Sequence, residues 1–162
     1  MPKTIAFILD QECMSVQERK ELQWAGRGLV YFLPRRMYEN YLLHPEAVAE
    51  VMNGIEGFRR QPISGDELRE VFARKRTEVD PRDPTGRQLM YFCKGTVEVP
   101  EDWECVIHSA DLLKDVFKEV SETRVQYEKT KHSVAITECL IRRKSESLAD
   151  LGKWLVRLLW PS

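Results

Sequence analysis

The sequence predicts an α/β fold, a partial Rossmann-like parallel sheet with flanking helices and a helical C-terminal part. Three observations predict it. Thr4-Ile5-Ala6-Phe7-Ile8-Leu9 is an unbroken apolar run, which suits a strand covered on both faces better than a half-exposed strand of alternating polarity. A second run, Leu29-Val30-Tyr31-Phe32-Leu33, lies one helix further on and stops at Pro34, because proline has no N–H to give a sheet ladder. From residue 109 onward the apolar residues recur mainly at helical spacing. Two buried strands joined by a helix make a right-handed βαβ unit, so both strands point their carboxyl ends at one edge of the sheet.

Between the two runs, Ser15-Val16-Gln17-Glu18 has capping-box spacing and predicts a helix over 16–25, ended by Gly26 and Gly28. His44-Pro45 opens a helix with proline in its tolerated first turn, and Val48, Val51, Met52 and Ile55 form its inward stripe. Gly54 and Gly57 close it. Ser64 caps a helix running to about residue 77, and Asp80-Pro81-Arg82-Asp83-Pro84-Thr85-Gly86 is the strongest breaker in the chain. Residues 89–93 read equally as strand or helix. Cys105-Val106-Ile107-His108 is a short strand candidate with His108 as a polar strand end, and Ser109 caps a helix to about residue 120 with Leu112, Leu113, Val116 and Phe117 inward. A helical run over 134–143 follows. The last helix starts at Ser147 with Asp150 and carries Leu148, Leu151, Leu155, Leu158 and Leu159 on one stripe, flanked by Trp154 and Trp160. We read residues 1–162 as one domain: a βαβ core with an acidic site (1–58), a helical and loop insertion (59–102), and a strand with the C-terminal helices (103–162).

Composition narrows the function classes. The chain has 162 residues, 43% of them hydrophobic, enough for a core of its own. Its 25 basic and 26 acidic residues nearly cancel, so any contact with nucleic acid has to be local. The four cysteines, Cys13, Cys93, Cys105 and Cys139, show no zinc-ligand spacing and read as reduced intracellular thiols. No secretory core or membrane span is visible, which predicts a cytoplasmic protein. Neither a G-x-x-x-x-G-K-[ST] nor a G-x-G-x-x-G motif occurs, so no nucleotide-binding loop is recognisable.

The chemistry concentrates where the first strand ends. Asp10 and Glu12 follow it directly, at the sheet edge where open α/β folds bind ligands. Either they form a site or they cap the next helix. Glu39 is the only acid in the segment after the second strand, Arg35-Arg36-Met37-Tyr38-Glu39-Asn40-Tyr41-Leu42-Leu43. It lies within two helical turns of the strand end, within reach of Asp10 and Glu12. The competing reading pairs Glu39 with Arg35 or Arg36 on the surface. Three converging carboxylates repel unless neutralised, and an oxygen-only set suits Mg²⁺, Mn²⁺ or Ca²⁺.

These blocks, Phe7-Ile8-Leu9-Asp10-Gln11-Glu12, Phe32-Leu33-Pro34-Arg35-Arg36 leading into Glu39-Asn40-Tyr41-Leu42-Leu43, and Tyr127-Glu128-Lys129-Thr130-Lys131-His132, occur in that order. Together they resemble the Toprim region of OLD-family (overcoming lysogenisation defect) proteins and related ATPase-associated nucleases. The resemblance implies that Asp10 and Glu12 match the family's Asp-x-Asp metal motif, with glutamate as its second acid, and that Glu39 matches the acid of its Glu-Asn-Tyr-Leu block. Lys129 falls where the family places a lysine, with Lys131 competing for the role. The implied activity is a Mg²⁺- or Mn²⁺-dependent nuclease that nicks or cuts DNA, working with an ATPase, often in defence against phage. Asp10, Glu12 and Glu39 would be the metal ligands, and Glu39 and Lys129 the catalytic residues.

The family's motif begins with a glutamate after an earlier strand, and neither this acid nor an ATPase occurs upstream of Asp10. The resemblance therefore implies a fragment of a larger protein, a short form completed by a partner, or a form that has lost catalysis. A parallel sheet without its first βα unit exposes an edge, which favours a partner or a homo-oligomer. The alternative function is a non-catalytic Toprim-like module binding a partner protein or nucleic acid. The basic clusters Arg35-Arg36, Arg59-Arg60, Arg74-Lys75-Arg76 and Arg142-Arg143-Lys144 either touch phosphates or are solvated faces interleaved with acids.

Overall fold

The computed structural model describes residues 6–160. Thr4 and Ile5, the start of the first apolar run, lie outside the described residues. The architecture is mixed α/β: a two-stranded parallel sheet and seven α-helices among the described residues. Strand β1 (Phe7–Leu9) pairs with β2 (Val30–Phe32), Phe7 opposite Val30 and Leu9 opposite Phe32. Helix α1 (Val16–Ala25) joins them and begins in the expected reciprocal box: Glu18 N–H donates to Ser15 Oγ (3.2 Å), and Ser15 N–H donates to Glu18 Oε2 (2.7 Å).

The expectation that the first strand is covered on both faces is corrected. Phe7, Ile8 and Leu9 are 56%, 41% and 37% exposed, and α1 buries no residue. The reason lies in where the remaining helices pack. Helices α2 (Pro45–Asn53), α3 (Gly65–Lys75), α5 (Ser109–Val120) and α6 (Lys129–Arg142) bury their apolar stripes against one another, not against the sheet. Val48, Met52, Leu68, Leu112, Leu113, Val116, Phe117, Ile136 and Leu140 are buried there. Phe117 stands edge-on to Phe58 and Tyr127, with centroids 6.2 and 5.1 Å apart, a geometry that adds to simple area burial.

Four boundaries differ from expectation. The strand candidate over residues 105–108 is instead a helical turn, α4 (Trp103–Val106), followed by extended Ile107. Its amides bond locally, Cys105 N–H to Asp102 O and Ile107 N–H to Trp103 O, and no neighbouring strand offers a ladder. His108, not Ser109, caps α5: its Nδ1 accepts from Asp111 N–H at 3.3 Å, while Ser109 is already helical and buried. Helix α6 starts at Lys129, five residues before the predicted Val134, because His132 Nδ1 accepts from Glu128 N–H (2.8 Å) and satisfies an amide that the helix start leaves open. Helix α7 (Glu146–Leu159) begins one residue before the predicted Ser147, with no side-chain capping bond from Ser145, and buries only Leu151 of the predicted leucine stripe; Leu151 packs on Leu33 and Tyr41 in a small satellite cluster. Residues 89–93 form turns with a single antiparallel bridge, Val79 to Leu89.

The expectation of four reduced cysteines is also corrected. Cys13 and Cys93, 80 residues apart in sequence, are joined by a disulfide with Cα atoms 5.6 Å apart; Cys105 and Cys139 are free. Sequence spacing could not show this, because the chain must fold back before the two sulfurs meet. No helix among the described residues is long and apolar enough to cross a membrane.

Candidate functional site

The site is built from the ends of β1 and β2 and the start of α6. After β1 the chain turns sharply and is pinned to the segment leaving β2: Gln11 N–H and Glu12 N–H both donate to Arg36 O (2.7 and 3.3 Å). The Gln11 side-chain amide donates to Leu33 O and Pro34 O, and Arg19 holds its carbonyl oxygen. Glu12 sits in the left-handed region at φ 49°, a costly conformation for a residue with a Cβ, and one that surrounding bonds have to hold in place.

The segment after β2 is a 3₁₀ turn over Tyr38–Tyr41, locked from inside by Asn40. Its Oδ1 accepts from Met37 N–H (2.9 Å), and its Nδ2 donates to Glu104 O and Ile107 O (2.7 and 3.0 Å). Tyr38 N–H donates to Asp10 Oδ1 at 3.1 Å, which fixes the first acid against this turn. Glu39, in the same turn, is 0% exposed, and its partner is Lys129: Nζ lies 2.9 Å from Glu39 Oε1. The pairing of Glu39 with Arg35 or Arg36 is not found. Arg35 lies over the Tyr41 ring, 4.5 Å from its centroid, and Arg36 donates to Val106 O, Tyr91 O and Cys13 Sγ.

The structure thus brings Asp10, Glu39 and Lys129 together; both Lys129 and Lys131 are exposed on α6, and it is Lys129 that makes the ion pair with Glu39. Burial pushes the Asp10 carboxyl above the ordinary aspartate range, and the nearby Glu39 and Glu12 charges push it further, against the Tyr38 amide and Lys129, which pull it down. Lys129 is held above the ordinary lysine value, first by its bond to Glu39 and then by the charges of Asp10 and Glu12. One cation therefore serves three acids. Glu39 Oε2 is buried without a hydrogen-bond partner among the described residues.

Glu12 is exposed and lines the neighbouring cleft of about 350 Å³ with Cys13, Arg36 and Cys93. Among the described residues no three His, Cys, Asp or Glu side chains are gathered as a metal-holding group. Mg²⁺ does not need such a cage, because it is commonly held by one or two carboxylates, with water and substrate phosphate completing its octahedron. On that basis Asp10 and Glu39, with Glu12 at the rim, are the residues that could hold a hard divalent cation, and the unpartnered Glu39 oxygen and the raised Asp10 carboxyl are the features a further positive charge would relieve.

Two residues that position the site were not singled out in the sequence. Asn40 was visible only as the neighbour of Glu39 in the Tyr38-Glu39-Asn40-Tyr41-Leu42-Leu43 stretch. His132 stacks on Phe117 and Tyr127 while capping α6, and burial lowers its tendency to protonate; only its place three residues after Lys129 hinted at it. Most of the basic clusters are engaged by acids: Arg59 with Glu67, Arg74 and Lys75 with Glu78 and Glu119, Arg142 and Arg143 with Glu50. A larger cleft of about 590 Å³ beside Arg59 and Arg124 is lined by such mutually paired charges and lies apart from the acid turn. Comparison of the chain with protein-family models, with curated proteins and with solved structures found no match.

Proposed function

We propose that the chain is a cytoplasmic, Mg²⁺- or Mn²⁺-dependent phosphodiester hydrolase acting on DNA, a Toprim-like domain of the OLD type that works with an ATPase partner. The observation that carries this reading is the fully buried Glu39 carboxylate, paired with Lys129 and set beside Asp10 at the carboxyl ends of two parallel strands. A protein that needed only a stable fold would gain little from such a group, because burying an ion pair costs about as much as its attraction returns. Asp10 and Glu39, assisted by Glu12, would hold the cation, whose role is to neutralise charge on the phosphate and to activate water. Lys129 is 60% exposed on its own side chain, so its ammonium can meet a phosphate oxygen from solvent while remaining tied to Glu39. Preorganised cations of this sort stabilise charge that develops in the transition state.

Titrating Mn²⁺ by calorimetry into wild type and Asp10→Ala tests the site: binding in wild type and none in the variant is the expected result. Mn²⁺ should also raise the melting temperature of wild type and leave Asp10→Asn unmoved. In a plasmid-nicking assay, wild type and Asp10→Ala with equal inactivity in both metals would remove catalysis from the isolated chain.

The second reading, a non-catalytic interaction module, is favoured by the uncovered sheet. Phe7, Ile8 and Leu9 are all open to solvent, and β1 has one edge without a strand partner among the described residues. An unpaired apolar edge of this kind is a site for adding a strand from a partner or from a second copy of the chain.

A further inference from the structure

We propose that Cys13 and Cys93 form a reversible thiol–disulfide exchange site, attached directly to the acid turn, whose reaction partners are small thiols and disulfides of the glutathione class. The proposal stands on geometry that the hydrolase reading does not use. Cys13 is exposed and follows Glu12 by one residue, while Cys93 is half-buried in a distant turn, and their bond is the covalent tie between these two segments. Both sulfurs line the same open cleft of about 350 Å³, so a small thiol has room to reach them. Exposed disulfides are the ones that small thiols reach and reduce.

Arg36 is the second observation. Its guanidinium is buried, donating through Nη1 to Val106 O (3.2 Å) and Tyr91 O (3.4 Å) and through Nη2 to Cys13 Sγ (3.1 Å). Among the described residues no carboxylate touches it: Glu12 and Asp111 act on it only through their charge, Asp111 being paired with His108 and Lys114, and its Nε has no hydrogen-bond partner. A buried cation with no anion in contact is costly. When the disulfide breaks with its charge on Cys13, that charge appears in direct contact with the guanidinium.

The exchange balances as follows. A small thiolate attacks Cys93 Sγ from the cleft, the Cys13–Cys93 bond breaks, and its electron pair leaves on Cys13 Sγ against Arg36. A second small thiolate attacks the mixed disulfide on Cys93, releasing Cys93 as a thiolate that takes up a proton, together with the small symmetrical disulfide. Two small thiols are oxidised and one protein disulfide is reduced. Oxidation runs the same steps backward.

The test uses the full chain with Cys105→Ser, which removes the third thiol of the cleft. The protein is equilibrated across graded ratios of reduced to oxidised glutathione, alkylated, and its linked peptides are weighed. The expected result is a single Cys13–Cys93 linked peptide that appears and disappears together with both thiols inside the accessible range of ratios. Arg36→Gln should slow reduction by about tenfold or more, with Arg36→Lys restoring most of the rate. The proposal is overturned if the linked peptide never forms, if it persists in reduced glutathione alone, or if a folded Arg36→Gln variant is reduced at the wild-type rate. Should Arg36→Gln fail to fold, the glutathione titration of the parent chain decides by itself.

Discussion

Asp10 carries a charge in a place that resists it, and the consequence is measurable in stability. Its carboxyl binds protons more tightly in the folded chain than the ordinary aspartate value of 3.8. Between that value and the raised one, the folded state holds a proton that the unfolded state has released, so stability falls as pH rises through this window. Asp10→Asn removes the penalty while keeping an oxygen for the Tyr38 amide. It should melt above wild type near neutral pH and lose that advantage below about pH 4; a variant that melts below wild type at pH 7 contradicts the electrostatic account. Lys129 gives a slope of the same sign in the alkaline range, with its contribution fully present below 10.5 and lost as pH climbs through its raised folded value. Lys129→Ala strands a buried carboxylate and should cost about 2 kcal/mol, less than the figure of about 3–5 for fully buried pairs because water reaches the ammonium. Lys131→Ala, on the exposed face of the same helix turn, should change stability by less than about 0.5 kcal/mol in the same urea titration. The three acids were legible in the sequence because charged residues at strand ends are few, whereas Lys129, at a helix start, was singled out only by the family resemblance and with Lys131 still competing. The Cys13–Cys93 pair and the burial of Arg36 were not, because both depend on how residues 89–107 return to the acid turn.

The elements that hold the site are short and polar inside, and their strength rests on side-chain locks. Asn40 satisfies one amide and two carbonyls that the 3₁₀ turn over Tyr38–Tyr41 and the exit of α4 leave open. Asn40→Ala should destabilise by about 2–3 kcal/mol in denaturant unfolding, and a loss under 0.5 would mean that water replaces the amide without cost. Helix positions with strong caps and stripes were readable: α1 from Ser15 and Glu18, α2 from Pro45, α3 from Ser64. The starts of α5 and α6 were missed by a residue or more because histidines cap them, and histidine is not a usual capping type. The strand expected at residues 105–108 failed for another reason. Cys105-Val106-Ile107 has β-branched residues, but strand propensity needs a neighbour to pair with, and here Arg36 N–H reaches only a single carbonyl, Cys105 O.

At the scale of the whole molecule, the helical body is self-sufficient and the sheet is not. Phe117→Ala, at the centre of the main core, should cost about 3–5 kcal/mol, whereas Ile8→Lys on the open strand should leave the monomer's unfolding nearly unchanged. If the sheet edge is where a second copy or a partner adds a strand, Ile8→Lys should abolish any concentration-dependent assembly seen by light scattering; assembly that survives the substitution places the contact elsewhere. The unbroken apolar run suggested a strand inside a larger sheet, and the chain supplies only one neighbour for it among the described residues. Left unoccupied, a short ribbon of Phe7, Ile8 and Leu9 with bare amides along one side is also a template for fibre growth. Concentrated solutions of the isolated chain should accordingly seed thioflavin-positive filaments after a lag, and a lysine at position 8 should lengthen that lag.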